Sequence, residues 1–245
     1  MYKTLITFFL LLVCSFMQSY ANMSIDLEKN ETELYEEAVS SFRKRKYKKA
    51  IKVAQRIEDL YPISHYAMKA KLLSGISHYY MKNYDSAACD MDDYIRIYSN
   101  GEDLSYAYYL RVLSYYMKIN KIQLEQQTAY RALELATEYT NLFPKSEYID
   151  QVKEKLMLIT EHISAKEYYI GKFYLKRGEY LSAIKRFQNI ASNKNSRYFS
   201  KSTCYLIAAY LALGLDLEAQ QYQYILVKKN LKNKTKQTQN YIYDQ

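Results

Sequence analysis

Scarce glycine and proline, long amphipathic stretches and a recurring aromatic-to-small spacing predict an all-α fold. The fold expected is a right-handed superhelical stack of about five helix–turn–helix pairs. Only 5 Gly and 2 Pro occur in 245 residues. Sandwiches and barrels need frequent Gly-rich turns, so this scarcity favours long helices joined by short loops. Hydrophobic residues make up 49%, enough for a buried core. The aromatics are 30 Tyr and 8 Phe with no Trp. A tyrosine fills space yet keeps a hydroxyl for water or a backbone group, which suits helices that stack side by side and stay half exposed.

The repeat is an aromatic, two residues, then a small residue at the start of a second helix. It occurs as Tyr47-Lys48-Lys49-Ala50, Tyr84-Asp85-Ser86-Ala87 and Tyr180-Leu181-Ser182-Ala183. Each copy follows a turn-like or basic stretch: Arg45-Lys46, Lys82-Asn83 and Gly178-Glu179. Pro62 lies twelve residues after Ala50, and Pro144 twelve after Ala132; Ser99 and Asn195 stand at that distance from Ala87 and Ala183. A last, degenerate copy runs from Gly214 into Leu217-Glu218-Ala219. A small residue allows two antiparallel helices to cross closely, and the aromatic plugs the gap beside it. Proline stops the second helix because it has no N–H to donate. This is the tetratricopeptide (TPR-like) pattern. One such unit leaves an apolar face bare and buries it on the next, so several must stack.

In chain order the pairs are expected at 31–62, 65–99, 102–144, 147–195 and 197–231, making 31–231 one repeat domain. The third pair departs from the pattern. Lys118-Ile119-Asn120-Lys121-Ile122-Gln123 separates its helices, and Ala129 stands where the aromatic belongs. The fourth opens on a helical pattern from Glu147 to Lys176, interrupted only by Gly171. Such a helix would be about 45 Å long, either a spine or bent near Gly171. The tail, 232–245, is polar and basic and is expected to fray.

Residues 1–21 read as a secretory signal, with Lys3 ahead of the apolar run Leu5 to Val13. That run is too short to span a bilayer as a helix. Two processing sites compete: after Ser19-Tyr20-Ala21, or a lipoprotein-type cut before Cys14 in Leu11-Leu12-Val13-Cys14. Acylation of Cys14 would tether the mature chain to a membrane surface, and no later apolar stretch is long enough to cross one. The formal net charge is +9, but Lys and Arg alternate with Glu and Asp along most helices. Mixed charge of this kind is a solvated face. The one basic concentration is Lys228, Lys229, Lys232, Lys234 and Lys236, suited to a solvated end or to an anionic contact. Export and diffuse charge together speak against a nucleic-acid partner.

No constellation for catalysis stands out. His65, His78 and His162 share neither a cluster nor metal-ligand spacing, and no phosphate-binding glycine loop is present. No metal site and no cofactor are expected. Asp90 and Asp93 share a helix face, where a solvated acidic pair is the plain reading. In Tyr79-Tyr80, Tyr108-Tyr109, Tyr115-Tyr116 and Tyr168-Tyr169, adjacent side chains point about 100° apart, so one packs inward while the other borders a groove. Cys89 and Cys204 lie in amphipathic segments and are expected to be small buried apolar residues.

An ordered set of segments resembles a known family. It begins with Leu34-Tyr35 and Ala38, then Tyr47-Lys48-Lys49-Ala50-Ile51, and Glu58-Asp59-Leu60-Tyr61-Pro62 followed by Tyr66. Tyr79-Tyr80-Met81-Lys82-Asn83, Asp92-Asp93-Tyr94-Ile95-Arg96-Ile97 and Tyr106-Ala107-Tyr108-Tyr109-Leu110-Arg111 come next. Phe143-Pro144-Lys145-Ser146-Glu147-Tyr148 is a Tyr/Phe-Pro-x-Ser-x-Tyr corner. The most specific run is Ala165-Lys166-Glu167-Tyr168-Tyr169-Ile170-Gly171-Lys172-Phe173-Tyr174, leading to Arg177-Gly178-Glu179-Tyr180. From Leu34 to about Asn193 the chain resembles the BamD (ComL/YfiO) family, lipoprotein subunits of the bacterial outer-membrane β-barrel assembly machine. It departs from that pattern at Ser99-Asn100-Gly101, in the shortened third-pair loop, and in Val13, which is a poor residue before a lipidated cysteine.

The resemblance implies a non-catalytic adaptor at the periplasmic face of the outer membrane of a Gram-negative bacterium. Its implied partners are the periplasmic POTRA domains of BamA, other Bam subunits and unfolded outer-membrane proteins. It places BamA docking at Arg186, flanked by Arg177 and Tyr180; an exposed helix arginine is the plain alternative for Arg186. Tyr35, Tyr61 and Tyr66 would border the client groove. A periplasmic TPR adaptor of cell division or peptidoglycan synthesis is the competing reading. A solenoid enzyme would need a catalytic domain for which no residues remain.

Overall fold

The computed structural model describes residues 29–119 and 127–243, without the side chains of Asn230 and 232–243. The expected signal 1–21, Cys14 and most of the Lys118–Gln123 connection lie outside the described residues. Ten helices and no strand occur among the described residues: α1 (Glu31–Arg43), α2 (Tyr47–Leu60), α3 (His65–Tyr80), α4 (Tyr84–Ile97), α5 (Leu104–Met117), α6 (Gln127–Leu142), α7 (Ile149–Lys176), α8 (Tyr180–Ala191), α9 (Phe199–Ala212) and α10 (Asp216–Tyr243). The fold is all-α and TPR-like, as the repeat spacing predicts. It divides into two compact units, the boundary falling between Ser114 and Tyr115 in α5.

Two kinds of turn alternate along the chain. Inside a pair, the first helix ends on a residue in the left-handed region: Arg45 (φ 58°), Lys82 (φ 61°), Gly178 (φ 75°) or Gly214 (φ 70°). The next amide then bonds back five residues, as in Lys46 N–H to Ser41 O (2.9 Å) and Asn83 N–H to His78 O (3.0 Å), with Glu179 to Tyr174 and Leu215 to Tyr210 alike. These are Schellman closures, which satisfy carbonyls orphaned at the helix end. Between pairs, the chain makes a β-turn closed by a serine or glycine. Ser64 N–H bonds Tyr61 O (3.0 Å), Ser146 bonds Phe143 (3.2 Å), Ser196 bonds Asn193 (3.1 Å) and Gly101 bonds Tyr98 (2.9 Å). Pro62 and Pro144 occupy the second position of their turns, where a fixed φ is favoured. The Ser64 hydroxyl then accepts the Tyr66 and Ala67 amides and caps α3.

Glycine is the residue that suits a left-handed helix end, yet two of these four ends carry long side chains. Arg45 and Lys82 are exposed and sit within the closures that end their helices. Lys82→Gly is therefore expected to raise the unfolding free energy by about 1 kcal/mol, read as a shift in the urea midpoint at constant slope. A midpoint that falls would mean the lost chain entropy outweighs the relieved strain.

The repeat's small residues lie where the helices cross: Ala50, Ala87, Ala132, Ala183 and Ala219 are all fully buried. Their aromatic partners fill the adjoining gaps. Tyr47 stacks on Tyr80 (5.6 Å between ring centres), Tyr84 meets Tyr79 edge-on (5.4 Å), and Tyr180 packs on the core of the second unit. The last copy is degenerate because Asp216 stands three residues before Ala219. Leu34, Ala54, Ile57 and Ala67 form the core of α1–α3, and Met91, Tyr94, Ala107 and Leu110 that of α4–α5. In the second unit Phe187, Ile190, Leu206 and Ala209 join α8 and α9, beneath Tyr168 of α7. Each of the larger side chains contributes about 1.5–3 kcal/mol by leaving water.

The long helix α7 runs unbroken for 28 residues, about 42 Å. Gly171 does not interrupt it. A Cβ at that position would meet the Phe187 ring at 2.7 Å, so the glycine serves close approach between α7 and α8. The last helix, α10, continues to Tyr243, so the polar segment after Lys232 extends it instead of leaving it. None of these helices is long and apolar enough to cross a membrane.

Candidate docking surfaces

Buried charge marks the middle of the second unit. Glu167, on α7, is only 1% exposed. The Arg186 guanidinium of α8 donates to both its oxygens (Nη1 to Oε1 3.1 Å and to Oε2 3.4 Å), and Asn189 Nδ2 donates to Oε2 at 3.2 Å. Tyr130 of α6 lies close enough for burial, first, and then the Glu167 charge to raise its hydroxyl pKa. Arg186 thus has a structural task that its sequence position did not disclose. Its side chain stays 35% exposed, so the guanidinium can balance Glu167 and still meet solvent.

The structure does not gather Arg186, Arg177 and Tyr180 into one cluster. Arg186 pairs at Glu167, and Arg177 caps α7 ten residues further on (177 − 167), about 15 Å along the helix. Tyr180 is half-buried and belongs to the core. Arg177 instead heads a ridge of exposed apolar side chains. Its guanidinium lies 5.3 Å from the Phe173 ring centre and its Nε is 3.0 Å from Glu179 Oε1. Tyr169 (56% exposed) and Phe173 (54%), one turn apart on α7, complete the ridge. Aromatics and an arginine presented together are the residues that carry binding energy at protein interfaces. An exposed aromatic four residues from another on α7, as in Tyr169 and Phe173, was the available signal in the sequence.

In the first unit, Tyr35 and Tyr66 come together, ring centres 5.3 Å apart, across α1 and α3. Tyr61 packs on the same core, but its hydroxyl donates to Lys29 O (3.1 Å), which ties down the residues just before α1. Aromatic side chains continue along α1, α3 and α5. Phe42 meets Tyr80 (5.7 Å), Tyr79 meets Tyr80 (6.4 Å) and Tyr106 meets Tyr109 (6.0 Å). Burial raises the hydroxyl pKa of Tyr35 and Tyr79, and lifts that of Tyr106 to about 12. All three remain neutral donors at physiological pH. A shallow cavity of about 600 Å³ runs along α1 past Tyr35, Val39 and Arg43. The expectation for paired tyrosines holds at Tyr79-Tyr80 and Tyr168-Tyr169, where the second ring of each pair is exposed and the first is not.

Two expectations need correction. Cys89 and Cys204 are exposed free thiols, not buried apolar residues. On α4 the inward face is set by Ala87, Ala88, Met91 and Tyr94, and on α9 by Ser202, Thr203 and Leu206, which leaves each cysteine facing water. Asp90 is not a solvated acid paired with Asp93. It accepts from Ser74 Oγ (2.8 Å), lies 2.8 Å from His78 Nδ1 and faces Lys71, which also pairs with Glu58. Asp93 pairs with Arg96 instead. Among the described residues no group of His, Cys, Asp or Glu side chains is arranged to hold a metal ion.

The sequence matches the YfiO family, described as an outer membrane lipoprotein, over residues 27–226. The outer membrane protein assembly factor BamD of Rickettsia prowazekii is 31% identical over 194 residues, covering 79% of this chain and 77% of that protein. The BamD proteins of Caulobacter vibrioides and Neisseria meningitidis are 26% and 27% identical, covering 77% and 74% of this chain and 62% and 72% of their own lengths. The family match takes in both the α7 ridge with its Glu167–Arg186 pair and the tyrosine face of α1, α3 and α5. The chain belongs to the YfiO/BamD family of outer membrane lipoproteins.

Proposed function

We propose that this protein is a non-catalytic adaptor of the outer-membrane β-barrel assembly machinery, held at the periplasmic face of the outer membrane. In this reading the second unit docks the POTRA domains of BamA and the first unit receives unfolded outer-membrane proteins on its tyrosine face. Other Bam subunits share the assembly, and acylation of Cys14 would supply the tether. Family membership supports the assembly role. The observation that carries the docking assignment is the exposed ridge of Tyr169, Phe173 and Arg177 at the end of α7. A solenoid buries such side chains against a neighbour unless a partner covers them.

Arg186 belongs to this reading as a residue with two tasks. Reversing its charge would set a carboxylate beside buried Glu167, so a loss of binding in Arg186→Glu would not separate docking from folding. Arg177 is the cleaner probe, because its side chain is 62% exposed and its neighbours lie on the surface. Arg177→Glu combined with Phe173→Ala is expected to weaken binding to a BamA POTRA fragment at least tenfold, with an unchanged melting temperature. Titration calorimetry with the matching fragment measures it. Unaltered affinity would remove the ridge from the docking site.

A further inference from the structure

The first half of α7 reaches past the end of α8. α7 has 28 residues and α8 only 12, and the α8–α9 turn meets α7 near its middle, where the Arg197 N–H donates to Glu161 Oε1 (3.1 Å). Ahead of that point α7 turns Val152 and Ile159 inward, while Met157 (61% exposed) and Leu158 face out. Together with the turn it bounds a groove of about 570 Å³, the size of pockets that take a compact ligand or a few side chains. Leu156, Met157 and Leu158 line its α7 side, and Asn193, Asn195 and Arg197 the turn side. The turn is held in shape before any partner arrives: the Asn195 N–H donates to Asn193 Oδ1 (3.1 Å), and the Lys229 amine of α10 donates to Lys194 O.

Charge decides what fits there. A cation stands on each side, Lys153 on α7 and Arg197 on the turn, and the Arg197 side chain is 79% exposed. The acid that lines the groove, Glu161, is engaged by the turn itself: its Oε1 takes the Arg197 N–H and its Oε2 lies 3.6 Å from Arg197 Nε. Apolar side chains between two cations complement a carboxylate with apolar neighbours. Asparagine side chains bond peptide groups, which a hydrocarbon tail does not offer, so the lining favours a polypeptide over a lipid. We propose that this groove docks a short segment of a partner protein in which an acidic residue is flanked by apolar ones. It is a second docking surface, separate from the ridge: Met157 and Phe173 are sixteen positions apart on α7 (173 − 157), about 24 Å along the helix. The proposal does not depend on BamA docking at that ridge.

The test uses the mature full-length chain and three fluorescein-labelled peptides with identical Gly-Ser flanks and a central Leu-Asp-Leu, Leu-Asn-Leu or Leu-Lys-Leu. Fluorescence anisotropy is expected to give the Asp peptide a Kd about fivefold below that of the Asn peptide, with the Lys peptide weakest. In Lys153→Gln/Arg197→Gln the Asp and Asn peptides should bind alike at an unchanged melting temperature, since both side chains are exposed and the Arg197 bond to Glu161 is made by the main chain. Met157→Ser should weaken every peptide about threefold. The ridge variant Phe173→Ala/Arg177→Glu should bind all three as the parent does. Equal binding of the Asp and Asn peptides by the parent, or no saturable binding up to about 1 mM, would overturn the proposal. A preference that survives Lys153→Gln/Arg197→Gln, an unaltered Met157→Ser, or a loss in the ridge variant would overturn the assignment to this groove. Each of these results leaves the BamA reading of the ridge standing, because that is measured with the POTRA fragment.

Discussion

Arg186→Met is expected to destabilise the second unit by about 2–3 kcal/mol, with the loss largely recovered in the double variant Glu167→Leu/Arg186→Met. The reason lies in what Arg186 leaves behind. Glu167 is fully enclosed, and its two oxygens take their hydrogen bonds from Arg186 and Asn189. Without the guanidinium, one neutral amide remains to solvate a buried carboxylate. Removing one member of a buried pair strands the other charge, which costs more than the pair was worth. Arg186 is partly exposed, so water can replace some of the lost contact, and the cost falls toward the lower end of the usual range. Leucine at 167 removes the charge together with its partner. Urea unfolding of the four proteins in the cycle gives the coupling energy directly. A single Arg186→Met variant within about 0.5 kcal/mol of the parent would show that Glu167 is neutralised some other way. The result also decides how docking data on Arg186 are read, since a binding defect counts only when measured well below the variant's melting temperature.

The second large effect is expected at Gly171. Alanine normally stabilises a helix interior over glycine by about 1 kcal/mol. Here Gly171→Ala should instead cost about 2 kcal/mol. Its Cβ would lie 2.7, 2.8 and 3.0 Å from three carbons of the Phe187 ring. The ring has no room to retreat: Phe187 is fully buried and stacked on Tyr205, ring centres 5.6 Å apart. Overpacking of this kind forces side chains off their rotamers or pushes helices apart. Pairing Gly171→Ala with Phe187→Leu should recover part of the loss, because a shorter side chain frees the contested space. Thermal melts of both variants measure it. A stabilised Gly171→Ala would mean that α8 slides away at little cost. The same contact bears on the choice between spine and bend for α7: a glycine locked under a buried ring is a packing device and no hinge.

Much of the architecture was legible in the sequence because it is written locally. The Tyr-x-x-Ala spacing placed the starts of α2, α4 and α8, and Pro62 and Pro144 placed the ends of α2 and α6. Adjacent tyrosines divided between a covered and an exposed ring at Tyr79-Tyr80 and Tyr168-Tyr169, because neighbouring helix positions point apart, whereas Tyr108-Tyr109 and Tyr115-Tyr116 are all half-buried. The candidate surfaces were less legible. Tyr35 and Tyr66 could be named, but nothing in their spacing showed that their rings meet across α1 and α3. Tyr169 and Phe173 could have been picked out by helical spacing, yet exposure is a property of what fails to cover a residue.

Taken alone, the sequence determined the helical class, the repeat unit, most helix boundaries and the family, since periodicity, turn chemistry and ordered motifs act over a few residues at a time. Tertiary structure alone decided which charges are buried and by what they are met. Glu167 and Arg186 are nineteen positions apart and Asp92 and Arg111 likewise. It also decided that Cys89 and Cys204 face water and that Gly171 yields space to Phe187. Helical period says which residues share a face. Burial and charge pairing depend on what the neighbouring helix brings to that face, and that is settled only when the helices pack.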